Sequence, residues 1–403
     1  MSNVTTGVQT SDTGPMDQGH QPGADVTPRR KAWERVNLFH DGDSFFDALE
    51  VGIKSARRSV HLESYIFATD RLGERILGAI DEAANRGVDV RVVIDGVGSS
   101  AWSAQIRARA KRGRFQLKIF HELPWTRFLR RRKRAARTGF FRGLFRHLNN
   151  RNHRKVCVID GVEAFVGSFN IIEYHCRRYV GDGAWRDTGV SVKGGEVSVL
   201  AASFVEVWRG RTLRVRSRAN RIQSGALIRL NARRQLRSEN YLDLLVKILG
   251  AQGRVWITNA YFVPDSSLIR VLGIAAEAGV DVRIVVPAFS DVVFIPWVTS
   301  AFHLGLLRAG VRIFEYTGTV LHAKTMLIDD WGLVGSSNLN HRSLLHDLEA
   351  DVVLGSEDAT GALAEQFIAD CAHSREVTLR NWKSRPLLER IVGRILLLVR
   401  RVL

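Results

Sequence analysis

Apolar and polar positions change their rhythm three times between residues 59 and 95. "SVHLESYIF" (59–67) is rich in strand-forming residues, "GERILGAIDEAANRG" (73–87) carries its apolar residues at helical spacing, and "VDVRVVID" (88–95) is a nearly continuous apolar run. The spacing predicts a strand, a helix that ends at Gly87, and a buried strand. The same rhythm returns later in the chain. "AANRGVDVRVVI" (83–94) matches "AAEAGVDVRIVV" (275–286) at an offset of 192, and "RSVHLESYIF" (58–67) parallels "GRVWITNAYF" (253–262) at 195. Order is kept in both halves, so the chain reads as a tandem duplication. Each copy runs strand, helix, strand, helix and then a further strand. That alternation predicts an α/β fold with a substantially parallel sheet and helices on its faces.

The further strand carries the chemistry. Residues 153–170 read "HRKVCVIDGVEAFVGSFN" and residues 322–338 read "HAKTMLIDDWGLVGSSN". An isolated His-x-Lys is ordinary surface decoration. Two copies, each with an Asp five residues beyond the Lys and Gly-Ser-x-Asn after it, reverse that reading. If each stretch is a strand, a period of two puts His153 and Lys155 on one face, and likewise His322 and Lys324. Asp160 and Asp329 then point away and take supporting roles.

A His-Lys pair suits a phosphodiester. Imidazole serves as a nucleophile or as a general acid and base near neutral pH, and an ammonium is a point charge for phosphate oxygens. Ser168, Asn170, Ser336 and Asn338 add donors, and Gly167 and Gly335 permit close backbone approach. Two copies supply two imidazoles about one phosphorus, one to attack and one to protonate the leaving oxygen. Each needs an orienting acceptor. Asp187 in "WRDTGVSV" lies 34 residues after His153, and Glu349 in "LEADVV" lies 27 after His322. Each starts a strand-like run, which predicts a His-carboxylate pair on each side. One departure separates the copies: six residues lie between Asp160 and Gly167, and five between Asp329 and Gly335.

HxKxxxxD followed by GSxN, twice in one chain, resembles the phospholipase D superfamily over roughly residues 33–375. "ARRSVHLESYIF", "RGVDVRVVIDGVGS", "WRDTGVSV" and "AYFVPD" resemble the bacterial cardiolipin synthases, in a form without amino-terminal membrane helices. The resemblance implies tandem phospholipase D-like α/β/α sandwich units sharing one active site. It implies metal- and cofactor-independent ping-pong chemistry through a phosphatidyl-histidine, with His153 as nucleophile and His322 as acid. It further implies that Lys155, Lys324, Ser168, Ser336, Asn170 and Asn338 hold phosphate. The expected reaction joins two phosphatidylglycerol molecules into cardiolipin and glycerol. A phospholipase D hydrolase would share every catalytic residue, and a nuclease or a non-catalytic lipid scaffold remain as further alternatives.

Charge bears on that choice. The 403-residue chain has a formal net charge of +18 and 45% hydrophobic residues, which supports sizeable cores and anionic partners. The offset between copies falls from 192 to 169, locating a 23-residue insertion in the first copy. The stretch 127–155 there holds twelve Lys and Arg and no Asp or Glu, interleaved with phenylalanines. Arg130, Arg131, Arg132, Phe140 and Phe141 are expected to meet anionic headgroups and the acyl boundary. Nucleic acid is not the expected partner. A basic apolar stretch at 385–403 reads as a helix lying on a membrane or docked on the protein's own core, with Arg390, Arg394 and Arg401 grouped on one face. No run of about 18 apolar residues occurs to span a bilayer. Three scattered cysteines suggest a reducing compartment. The expected location is therefore peripheral, on the cytoplasmic face of the bacterial inner membrane. One chain holds both motifs, so a monomer suffices and a dimer is permitted. The expected division is a disordered tail (1–32), a first domain (33–215) with the polybasic insertion at about 125–150, a second domain (216–375) and the terminal helix (376–403).

Less secure features complete the reading. Glu63 lies on a strand but has Thr258 at its repeat position, "DGVGSS" (95–100) resembles a weak phosphate-cradling loop, and His61, His121 and His303 fit core or surface patterns. The stretch 292–307 reads as an acyl-channel lining or a buried helix.

Overall fold

The structure, a computed structural model, describes residues 33–122, 150–210 and 225–385. Asp70 and Gly87 bound the helix that the first rhythm predicts. The Asp70 carboxylate accepts the Gly73 N–H at 2.9 Å, and the helix α2 (Arg71–Asn85) follows α1 (Gly42–Ser55). Leu72, Ile76, Leu77, Ile80, Ala83 and Ala84 are its buried face. It ends because Gly87 adopts φ 88°, and Val88 N–H then returns to the Ala83 carbonyl at 3.2 Å. The second copy repeats the device, with Gly279 at φ 91° and Val280 bonded to Ala275 at 3.1 Å.

The first sheet contains β1 (Arg35–Phe39), β2 (Ser59–Ser64), β3 (Asp89–Asp95), β4 (Gln116–Phe120), β5 (Val156–Ile159), β6 (Glu163–Gly167) and β7 (Gly189–Lys193). Its spatial order is β1-β7-β6-β5-β2-β3-β4. The second contains β8 (Ile228–Leu230), β9 (Arg254–Asn259), β10 (Asp281–Pro287), β11 (Arg312–Tyr316), β12 (Lys324–Ile328), β13 (Trp331–Gly335), β14 (Ala350–Val353) and β15 (Ser374–Val377). Read from the β8 edge its order is β8-β14-β13-β12-β9-β10-β11-β15, the first topology with one strand added.

The sheets are mixed rather than substantially parallel. Only β2-β3-β4 and β9-β10-β11 run parallel. The motif strands β5 and β12 lie antiparallel to β2 and β9 and turn back at once into β6 and β13. Parallel pairing needs a crossover of a dozen or more residues, whereas these motif strands are followed by turns of two or three.

Those turns absorb the one-residue difference between the motifs. Ile159 pairs with Glu163 across a three-residue turn, and Ile328 with Trp331 across a two-residue turn. Beyond them the strands recover the same place. Ser168 N–H bonds the Thr188 carbonyl at 3.0 Å, and Ser336 N–H bonds the Ala350 carbonyl at 3.2 Å. The motif aspartates tie these turns to the segments that lead into β2 and β9. Asp160 accepts the backbone N–H groups of Arg57, Arg58 and Ser59, and Asp329 those of Gln252, Gly253 and Arg254.

One face of each sheet is covered by its own helices. The other faces share a core to which Val156, Val158, Val190 and Val192 come from the first sheet and Leu327, Val334, Ala350 and Val352 from the second. This back-to-back burial sets β6 against β13 and β14, and β7 against β13. The stretch 292–307 falls mostly on a helix (Ile295–Arg308) whose Val298, Phe302 and Leu306 are buried in the second half's core, so its channel reading gives way to the buried helix.

Candidate active site

Neither histidine sits on a regular strand. β5 begins only at Val156 and β12 at Lys324. The segments just before them peel away from their own sheets and bridge to the other half. Asn152 forms a parallel bridge with Leu348, and Leu321 with Arg186. Backbone bonds fasten both crossings: His153 N–H to the Leu348 carbonyl at 3.0 Å, and His322 N–H to the Arg186 carbonyl at 2.8 Å. Each histidine therefore stands beside the residue that follows its bridging partner, which is a carboxylate from the opposite copy.

The pairing is crossed. His153 Nδ1 lies 3.0 and 3.1 Å from the two oxygens of Glu349, and His322 Nδ1 lies 2.8 Å from Asp187 Oδ1. The expectation that each motif is served by the carboxylate downstream in its own copy is corrected by this geometry. The reason lies in the back-to-back packing, which sets the end of each carboxylate strand against the opposite motif. An imidazole that donates from Nδ1 to a carboxylate keeps its lone pair on Nε2, the arrangement required of a nucleophile or base.

All four motif side chains are buried, His153 and Lys155 at 8% and 5% exposure, His322 and Lys324 at 3% each. Burial and the neighbouring cations Lys155 and Lys324, with His322, hold His153 well below the ordinary imidazole range. Burial and Lys324 bring His322 down to about 4, against the opposing pull of Asp187. The lysines fall as well, through burial, to about 8 for Lys155 and about 7 for Lys324. Each ammonium donates to the carbonyl of its own histidine, Lys155 to His153 at 2.8 Å and Lys324 to His322. Each also lies over a tyrosine ring, Tyr65 at 5.3 Å and Tyr261 at 5.7 Å. This folding-back, not the strand pleat, is what brings His and Lys together.

The carboxylates differ in their support. Asp187 Oδ2 lies 2.7 Å from His175 Nδ1, and His175 Nε2 accepts the Asn170 N–H at 3.2 Å. Burial pushes Asp187 up, but His175 and His322 outweigh it and hold the group well below the usual carboxylate range. Glu349 accepts instead from Ser336 Oγ at 2.5 Å and Ser343 Oγ at 2.7 Å, and burial pushes it up to about 7.

The phosphate-holding expectation for the motif serines meets a different arrangement. Ser168 donates to the Thr188 carbonyl at 3.1 Å and accepts the Thr188 N–H at 3.1 Å, while Ser336 donates to Glu349. Their hydroxyl protons are engaged within the protein, where they set the carboxylate strands. Gly167 and Gly335 serve the same approach. A Cβ on Gly167 would meet Gly189 Cα at 2.6 Å, and one on Gly335 would meet Asp351 Cα at 2.6 Å. Asn170 accepts the Ile66 N–H at 3.2 Å through Oδ1, which turns its amide NH2 the other way. Asn338 is buried, and its Oδ1 has no hydrogen-bond partner among the described residues.

Other sequence candidates are structural. Glu63 accepts from Asn152 Nδ2 at 2.6 Å and lies 3.6 Å from Arg154, so it holds the crossing segment. The N–H groups of Val97 and Gly98 in "DGVGSS" are taken by the Asp95 carboxylate, whose other oxygen accepts the Asn152 N–H at 3.0 Å; the loop is not a phosphate cradle. Arg130, Arg131, Arg132, Phe140, Phe141, Arg390, Arg394 and Arg401 lie outside the described residues. No spacing signal marks His175, which the sequence reading passes over, nor Ser343. They reach the site through the chain's path around the carboxylates.

The fold and the crossed pairs define a duplicated His-Lys phosphodiester site of the phospholipase D type. Residues 49–179 and 244–371 match the family model described as "Cardiolipin synthase, PLD-like domain". The chain is 30% identical over 391 residues to a cardiolipin synthase of Clostridium perfringens, covering 90% of this chain and 76% of that one. It is 31% identical over 366 residues to a cardiolipin synthase of Staphylococcus aureus, covering 87% and 70%. The fold resembles the crystal structure of a phosphatidylserine synthase from Haemophilus influenzae, with a TM-score of 0.62, 14% identity and coverage of 92% and 95%. It also resembles a polyphosphate kinase from Porphyromonas gingivalis, with a TM-score of 0.57, 12% identity and coverage of 83% and 50%. The chain belongs to the cardiolipin synthase family of phospholipase D-like proteins.

Proposed function

We propose that the chain is a phosphatidyltransferase that joins two phosphatidylglycerol molecules into cardiolipin and glycerol. The observation that carries the reading is the pair of crossed His-carboxylate couples, with the Lys155 and Lys324 ammonium groups bonded to the histidine carbonyls beside them. A phosphodiester placed between those cations offsets the charge that depresses the imidazoles, and so raises His322 toward protonation. His153 Nε2 attacks phosphorus, the bond from phosphorus to the glycerol oxygen breaks, and His322 gives its proton to that oxygen. The terminal hydroxyl of a second phosphatidylglycerol then attacks the phosphatidyl-histidine. His322 takes the hydroxyl proton, the P–N bond breaks, and cardiolipin leaves with His153 restored. Asp187 and Glu349 orient the rings and stabilise imidazolium as it forms.

Asp160 and Asp329 act in this reading only by anchoring the motif turns to the strands β2 and β9. The halves 33–215 and 216–375 are its two contributing domains. One chain holds both couples, which supports a monomer as sufficient. A peripheral position on the cytoplasmic face of the membrane is supported by the polybasic segment and by Phe289, Val293 and Trp297, exposed at 60%, 75% and 38% near the second motif. No helix among the described residues is long and apolar enough to cross a membrane.

The test is incubation of the purified protein with phosphatidylglycerol vesicles, following cardiolipin, phosphatidic acid and glycerol by mass spectrometry. Cardiolipin with released glycerol, absent from His153→Ala, is the expected result. Phosphatidic acid alone would make the protein a hydrolase.

A further inference from the structure

The two halves of the site match as far as the tyrosines over the lysines and then part. The Tyr261 hydroxyl lies 2.6 and 2.7 Å from the two oxygens of Asp291, a residue of the loop that follows β10. Asp291 is exposed at the rim, between the exposed side chains of Phe289 and Val293. At the repeat offset of 192 the first half has Ser99, fully buried. Ser99 donates to the Tyr65 carbonyl at 2.9 Å and accepts the Phe67 N–H at 3.0 Å. The first half thus closes its loop with a neutral hydroxyl, and the second carries a carboxylate.

A carboxylate on the rim of a site built from two ammonium groups for a phosphodiester is the wrong charge to attract phosphate. It is the right group to accept hydrogen bonds from alcohols. An ionised carboxylate offers about four lone-pair directions. Asp291 receives hydrogen bonds from the Tyr261 hydroxyl, shared between both oxygens, and from Ser290 Oγ at 3.1 Å, which leaves acceptor capacity toward solvent. Its position also matters. The Tyr261 ring stands 6.2 Å from the His322 ring and 5.7 Å from the Lys324 ammonium. His322 marks the side on which alcohol leaves and enters in the reaction proposed above. Although partial burial opposes it, the fields of His322 and the Tyr261 hydroxyl keep Asp291 below the ordinary carboxylate range, so it is ionised at neutral pH.

We infer that Asp291, held by the Tyr261 hydroxyl, is a specificity-determining site for the alcohol, accepting hydrogen bonds from the hydroxyl groups of a polyol headgroup on the His322 side. The inference rests on the phosphatidyltransferase reading. It gives the duplicated site a direction, with a symmetric centre for phosphate and one hydroxyl-selective mouth.

The experiment offers the full-length protein phosphatidylglycerol vesicles with deuterated glycerol and 1-propanol at equal concentration. It counts labelled phosphatidylglycerol against phosphatidylpropanol, and cardiolipin against phosphatidic acid. The wild type should prefer glycerol. Asp291→Asn should lower that preference about tenfold, the effect of losing one hydrogen bond to a charged group, and should shift products from cardiolipin toward phosphatidic acid. Tyr261→Phe, which keeps the ring and removes the hydroxyl, should move both ratios the same way by less. Both ratios are internal to each sample, so a smaller folded fraction does not imitate the effect. Unchanged ratios in both variants would overturn the inference and leave the transferase reading standing. A wild type that transfers to no alcohol would overturn both, since no acceptor would exist to be selected.

Discussion

His153 and His322 occupy matching frames with different backing. Each follows a bridge to the other half, donates from Nδ1 to a crossed carboxylate, and has a lysine ammonium on its own carbonyl. Behind His322 the carboxylate is an aspartate shared with a second imidazole and held firmly anionic. Behind His153 it is a glutamate fed by two serine hydroxyls and pushed up to about 7. A firmly anionic partner favours the charged imidazolium that an acid-base shuttle must form twice per turnover. A partner that readily takes a proton leaves its histidine neutral, as a nucleophile needs to be. Duplication supplies the common frame, and divergence behind the rings fits each copy to the separate task proposed for it.

The sharpest way to break that comparison is to remove each ring. His153→Ala and His322→Ala should each lower kcat on phosphatidylglycerol by about a thousandfold or more. The two should separate on a phosphodiester with an aryl leaving group, which departs without a proton. His322→Ala should recover release of the aryl alcohol and His153→Ala should not. The opposite pattern would exchange the roles.

The backing groups come next. Asp187→Asn should cost kcat about a thousandfold, somewhat less than the roughly ten-thousandfold loss of a serine triad deprived of its orienting anion. Glu349→Gln should cost about ten- to a hundredfold, because a carboxyl already pushed up to about 7 has less negative charge to lose. His175→Asn should cost about tenfold through Asp187 alone. Equal losses at Asp187 and Glu349, in steady-state kinetics on phosphatidylglycerol micelles, would erase the distinction drawn between the two sides.

A smaller effect concerns pH. Burial lowers Lys324 to about 7 and Lys155 to about 8, so both carry charge below pH 7 and lose it in that order as pH rises. KM for the anionic lipid should therefore climb from pH 6 to pH 9, with kcat changing less, because bound phosphate retains the protons. Lys324→Met should remove the lower of the two transitions from a plot of log KM against pH.

Asp160 and Asp329 define the smallest effect on chemistry. Asp160→Asn should cost about 1–3 kcal/mol of stability, the range for hydrogen bonds to a charged acceptor, with little change in turnover per folded molecule. Backbone N–H donors outweigh partial burial and lower the native pKa of Asp160. The contribution is therefore present above the unfolded pKa and fades as pH falls through the native value. Urea denaturation at pH 7 and at pH 3 should show the gap between variant and wild type narrowing at the lower pH.

Much of the frame is legible in the residues themselves. The offsets of 192 and 195 expose the duplication, Gly87 ends a helix because its φ is positive, and His-x-Lys with Gly-Ser-x-Asn marks both motif hairpins. These features are set by residues within about twenty positions of one another, so spacing and side-chain type carry them. Pleat reasoning misplaces the cause of the His-Lys meeting because the chain leaves the sheet before β5 begins. A parallel sheet is expected from the βαβ units alone, and the tight turns after Asp160 and Asp329 make the motif strands antiparallel instead.

The crossing belongs to the tertiary structure. Within either copy Asp187 and Glu349 carry no mark of which histidine they will face, since each follows its own motif at a plausible distance. The choice is made when Val156, Val190, Leu327 and Val352 bury a common face and set the end of each carboxylate strand against the other half's motif. The same packing recruits His175 and Ser343, which no motif names. Local spacing fixes which chemical groups exist, but only long-range burial of apolar surface decides which of them meet.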